Sequence, residues 1–70
     1  MNTNREGPRM LLRRIERYLR KSRIAASRFG RLAARDPRFV FDLRLGRRPR
    51  RATIVRVSAW LDAHEPQRRR

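Results

Sequence analysis

The chain has 70 residues, of which 21 are basic and 6 acidic, for a formal charge of +15; Lys21 is the one lysine, so 20 of the bases are arginine. That length builds one small domain around a thin core and leaves no scaffold for the walled pocket that most enzymes need. There is no cysteine for a disulfide or thiolate site, His64 is the single histidine, and no apolar run nears the roughly 20 residues of a membrane span.

Residues 1–8 are polar and end in Gly7-Pro8, so a disordered arm is expected there, without the apolar stretch of a signal peptide. Pro8 also suits a first helical position. Beyond it Leu11, Leu12, Ile15, Tyr18 and Leu19 recur at helical spacing, which predicts an amphipathic helix over 8–21. Its opposite face holds Arg9, Arg13, Arg17 and Arg20, read as a solvated face. Glu16 stands four residues before Arg20, a favourable helical pair. Ser22 and Arg23 form a break.

A second helix is predicted over Ala26–Ala34, with Ile24 ahead of it and Phe29, Leu32 and Ala33 as its apolar positions. Gly30 in its middle costs about 1 kcal/mol relative to Ala, which points to close approach by another backbone. Asp36-Pro37 joins a good N-cap to a favoured first helical residue, so a third helix is expected over 37–45. Phe39, Val40 and Leu43 line one side of it, and Gly46 sits where a helix terminator belongs. Arg47 to Arg51 form a basic loop around Pro49. A fourth helix follows from about Arg51, with Ile54, Val57, Trp60 and Leu61 as its apolar face. Trp60 is expected in the core near the first helix. His64 is expected at an exposed helix end with no role. Pro66 ends the helix, and residues 66–70 form a basic tail.

The expected fold is therefore all-α, a four-helix domain over 9–65. A charge of +15 on so short a chain repels itself and calls for a polyanionic partner. Codon bias in a GC-rich genome accounts for Arg over Lys, but not for the excess of base over acid. The planar guanidinium binds phosphate and the guanine edge in bidentate fashion, which favours nucleic acid.

Two short helices joined by a tight turn, with small residues at the crossing, describe a helix-turn-helix. Gly30 takes the small position in the first helix, Ala34 stands at the turn, and Val40 and Leu43 anchor the second helix over Phe29 and Ala33. With Ile24, Gly46, Pro49 and the stretch Thr53 to Val57, these residues resemble the lambda-repressor-like (XRE-type) helix-turn-helix DNA-binding family over residues 9–62. The chain departs from that pattern at Ala25, where Ser or Thr usually caps; in its turn, Ala34-Arg35-Asp36; and at Arg44, where Glu is common.

The resemblance implies a compact lambda-repressor-like domain whose third helix enters the major groove of double-stranded DNA. It places Pro37, Arg38, Phe41 and Asp42 over the base edges. Arg38 would read guanine, Asp42 cytosine N4, and Phe41 a thymine methyl. Asp42 lies four residues after Arg38, so an intrahelical ion pair is the other reading of those two. Phe41 and Leu45 would otherwise pack on the fourth helix or a second subunit. Ser27, Arg28, Arg35, Arg44, Arg47 and Arg48 are the expected phosphate contacts, helped by the free N–H groups at the start of the second helix. Arg50 and Arg51 either join them or neighbour the fourth helix.

The expected function is sequence-specific DNA binding by a small bacterial or phage transcriptional regulator, cytoplasmic and nucleoid-associated. The alternative is an architectural binder with little sequence preference. A homodimer formed on DNA is the expected assembly. No enzyme activity, cofactor, metal, small-molecule ligand or membrane partner is expected.

Overall fold

The computed structural model describes residues 7–65; the six residues before them, and the expected basic tail at 66–70, lie outside the described residues. Among the described residues four helices run in chain order: α1 (Pro8–Ser22), α2 (Ala26–Ala34), α3 (Phe39–Arg44) and α4 (Arg51–His64). Among the described residues there is no strand, so the domain is all-α as the periodicity predicts.

Pro8 is the first helical residue of α1, where its missing N–H costs nothing. The helix stops where Arg23 turns left-handed, at φ 57°, and donates its N–H to the Leu19 carbonyl. The Ser22 hydroxyl donates to the Tyr18 carbonyl at 2.7 Å, taking up another end group of the helix. The far end of α4 has a different cause. Glu65 is extended, with ψ 144°, as a residue preceding a proline must be.

Leu11, Ile15 and Leu19 enter the core from α1, Phe29 and Ala33 from α2, Phe39, Val40 and Leu43 from α3, and Val57 and Leu61 from α4. Each large side chain buried this way contributes about 1.5–3 kcal/mol. Leu32 departs from the expected apolar pattern and is 53% exposed. It lies about 60° around α2 from Phe29 and about 100° from Ala33, at the edge of the arc that meets α3 and α4. Trp60 is half-buried and packs edge-on against Tyr18 of α1 and Phe29 of α2, with ring centroids 5.5 and 5.3 Å away. It also carries the His64 ring stacked on its outer side at 3.8 Å.

Both α1 and α2 pack chiefly on α3 and α4. The short α3 is thus held from two sides and exposes its remaining arc.

Candidate functional site

The site is built on the corner between α2 and α3. Gly30 is buried there because the turn runs directly over it. A Cβ on Gly30 would stand 2.3 Å from the Asp36 carbonyl oxygen and 3.4 Å from the Phe39 Cβ. The Asp36 N–H donates back to the Gly30 carbonyl at 3.0 Å. The close approach that the glycine signals is therefore made by the turn, with the first residue of α3 just behind it.

The second helix ends at Ala34 as expected, and within the turn Ala34-Arg35-Asp36 the left-handed residue is Arg35, at φ 57° and ψ 30°. Arg35 accepts a conformation that a residue with a Cβ enters at roughly 1–2 kcal/mol, and the Gly30–Asp36 packing holds it there. The third helix differs from expectation and starts at Phe39, two residues after Pro37. The Asp36 carboxylate accepts the Arg38 N–H at 2.9 Å, and the Phe39 N–H goes to the Asp36 carbonyl at 3.0 Å. These bonds close a tight turn over Pro37 and Arg38, and α-helical bonding begins only with the Asp42 N–H to the Arg38 carbonyl, at 2.9 Å. Asp36 is still the capping residue of this corner, but it caps a turn that leads into the helix.

With Phe39, Val40 and Leu43 buried, the outer arc of α3 presents Pro37, Arg38, Phe41 and Leu45. Phe41 is 45% exposed and Leu45 74% exposed, and neither belongs to the core or to the apolar residues packed against it. Asp42 is half-buried and lies at the flank of that arc. It lines an open cleft of about 610 Å³ with Arg47, Arg48, Arg50 and Thr53. Among the described residues no ion pair joins Arg38 to Asp42.

Gly46 has φ 90°, which frees the chain to leave α3 sharply. The Arg47 N–H then donates to the Asp42 carbonyl at 3.0 Å. Arg47 and Arg48 are exposed and lie between that cleft and a second one of about 620 Å³, which Pro8, Met10 and Leu12 line from α1. Ser27 and Arg28 are exposed in the first turn of α2. Neither α2 nor α4 has an acidic residue in its first turn or a side-chain cap at its N-terminus. Their first-turn N–H groups and positive dipole ends thus have no acidic residue or side-chain cap among the described residues of those turns.

Arg44 has a partner that local sequence does not show. Its guanidinium donates twice to the Glu16 carboxylate of α1, at 2.7 and 2.9 Å, and lies 5.7 Å from the centre of the Phe41 ring. These hydrogen bonds hold the Glu16 carboxyl below its usual 4.5 and push the Arg44 pKa up. The expected Glu16–Arg20 pair gives way to this one, because a planar fork arriving from α3 bonds both carboxylate oxygens. Arg20 acts on Glu16 only through its charge.

Arg14 and Ser58 were not singled out by the sequence. Arg14 lies on the other flank of α1 and is mostly covered. It donates to Glu65 through Nε at 3.1 Å, to Ser58 Oγ at 3.3 Å, and to Asp62. Burial works against its charge, but the bonds to Glu65 and Asp62 outweigh that and raise its pKa. Its partners are 44 to 51 residues away in sequence, so no local signal marks it.

No group of three or more His, Cys, Asp or Glu is placed to hold a metal among the described residues. No helix among them is long and apolar enough to cross a membrane. No family model matches the chain, and no curated protein or solved structure is significantly similar to it.

Proposed function

We propose that the chain binds double-stranded DNA with sequence preference, as a small transcriptional regulator of lambda-repressor-like helix-turn-helix type, with α3 seated in the major groove. The observation that carries this reading is the outer arc of α3. A six-residue helix is anchored by Phe39, Val40 and Leu43 and turns Arg38 and Phe41 outward, with Arg35, Arg47 and Arg48 exposed on either side. A helix so short and so firmly held is a platform for side chains at its leading end, which is the end a recognition helix inserts.

In this reading Arg38 meets the guanine edge and Phe41 a thymine methyl. Pro37 sets the height of the corner above the groove floor. Arg35, Arg47 and Arg48 contact phosphates, and the uncapped start of α2, with Ser27 and Arg28, accepts another. Asp42 is the assignment that the geometry shifts. It stands among Arg47, Arg48 and Arg50 at the flank, where it orients the phosphate-contacting loop more readily than it reaches cytosine. Arg44 contacts phosphate only by exchanging Glu16 for it. Self-repulsion keeps the free protein monomeric, and a second copy joins on an adjacent half-site.

The test is a selected binding-site profile for the wild type, Arg38→Ala and Arg47→Ala. Arg38→Ala should relax preference at one base position, at a cost of about 1–3 kcal/mol for the preferred base. Arg47→Ala should weaken all sequences alike and lower the salt slope by about one. An unchanged profile for Arg38→Ala would remove α3 from the groove. Equal affinity of the wild type for all duplexes would favour an architectural binder.

A further inference from the structure

We propose that the outer face of α1 is a second binding surface for duplex DNA, independent of sequence, so that one molecule bridges two duplexes. The proposal rests on the reading that α3 faces DNA, and adds a partner for a face which that reading leaves unused.

Arg9, Arg13, Arg17 and Arg20 are all exposed on α1. They recur at one-turn intervals along about 16 Å of helix. Their common direction lies about 150° around the helix from Ile15, which is fully buried. The two flanks between stripe and core are both occupied. Glu16 reaches α3 through Arg44, and Arg14 reaches α4 through Ser58, Asp62 and Glu65. The stripe therefore looks away from α3 and α4 alike. A duplex seated on α3 lies beyond the Glu16 flank and leaves the stripe uncovered.

The placement of the acids separates this face from an ordinary solvated one. Glu16 is turned to Arg44, and Asp62 and Glu65 are turned to Arg14. The Asp36 carboxylate is turned to the Arg38 backbone, and Asp42 lines the cleft beside α3. No described acid pairs with Arg9, Arg13 or Arg17, and Arg20 shares only the field of Glu16. Four like charges one turn apart destabilise a helix, and an external polyanion relieves that strain.

Duplex DNA fits the stripe better than a lipid surface does. An interfacial helix needs its apolar face for the acyl layer, and here Leu11, Ile15 and Leu19 are committed to the core. A duplex offers a line of phosphates, one charge per about 1.7 Å of axis. The stripe carries no aromatic or amide group to read a base, so its contacts stop at phosphate.

The experiment measures two quantities at once with the full chain. One duplex is held on beads, protein is bound and quantified, and capture of a second, fluorescent duplex of unrelated sequence is read. Wild type should bind the first duplex and capture the second. Capture should fall about a hundredfold when salt is raised fourfold, as four phosphate contacts require. The variant Arg9→Gln/Arg13→Gln/Arg17→Gln/Arg20→Gln should keep most of its binding to the held duplex and lose capture by about tenfold or more. Arg13→Gln/Arg17→Gln should show a smaller loss in the same direction, and it serves if the fourfold variant loses its helical circular dichroism. Wild type that binds the first duplex without capturing a second overturns the proposal and leaves the α3 reading intact. Capture that persists in the stripe variants also overturns it, and assigns bridging to paired copies. Wild type that binds no duplex overturns both readings, and anionic vesicles added in the same format then show whether the stripe serves a membrane.

Discussion

The two flanks of α1 solve the same problem differently. On one, Arg14 is covered and ties α1 to three partners near the end of α4. On the other, Glu16 and Arg44 meet in the open, with side chains 36% and 42% exposed. The first seam is closed, because removing Arg14 would leave the Ser58 hydroxyl and a half-covered Glu65 without it. The second seam can be exchanged, because water replaces either partner, and a phosphate replaces Glu16, at little cost. On the proposed DNA-binding reading, this exchangeable ion pair beside the outward arc of α3 would hold Arg44 until a phosphate displaces Glu16. The one inside the α1–α4 joint is structural.

The contrast can be broken or sharpened by a graded set of substitutions, for which an ion-free seam sets the scale. Gly30→Val at the α2–α3 corner forces side-chain carbon onto the Asp36 carbonyl. It should cost about 3 kcal/mol in urea unfolding. A loss smaller than that of Arg14→Ala would mean that the corner yields easily. Arg14→Ala should cost about 2 kcal/mol, since its hydrogen bonds are charge-assisted and partly sheltered. If Arg14→Ala is as mild as Glu16→Gln, the two seams do not differ and the comparison fails.

Arg35→Gly should raise stability by about 1 kcal/mol, by removing the Cβ from a left-handed residue. The loss of one phosphate contact would appear separately, as weaker binding to every duplex. Glu16→Gln should cost only about 0.5 kcal/mol, yet raise duplex affinity by freeing Arg44 and removing a negative charge near the arc. No gain in affinity would show that Arg44 takes no part in binding.

The smallest effect is the pH dependence of the Glu16 seam. The folded carboxyl titrates below its usual 4.5. Its stabilisation is therefore present above the unfolded value and is lost as pH falls through the lower, folded one. Unfolding midpoints taken from neutral pH downward should show this component below about pH 4.5 in wild type and not in Glu16→Gln. The two curves staying parallel throughout would remove the pair from the stability balance.

Much of the fold is legible in the chain. Pro8 starts α1, Gly46 releases α3, and the apolar spacings locate nearly every buried residue. Leu32 is misplaced by spacing because an apolar residue near the edge of an arc is buried only if a neighbour reaches it. The start of α3 is displaced because Asp36-Pro37 suits a capped turn as well as a capped helix. The candidate site is legible in part. Arg38, Phe41, Arg47 and Arg48 are exposed around α3 as read, whereas the commitment of Arg44 to Glu16 spans 28 residues and has no local trace.

The sequence by itself determined that the protein is helical, basic beyond any internal compensation, and interrupted by one glycine that another backbone must approach. Those properties are carried by composition and by short-range spacing. Only the tertiary structure decided which of the many arginines are engaged. Helical spacing shows the face on which a charge lies, but not the element that packs beside that face. Arg14 and Arg44 look like their neighbours in the chain and differ from them only because packing brings carboxylates within hydrogen-bond distance, Asp62 and Glu65 to Arg14 and Glu16 of α1 to Arg44.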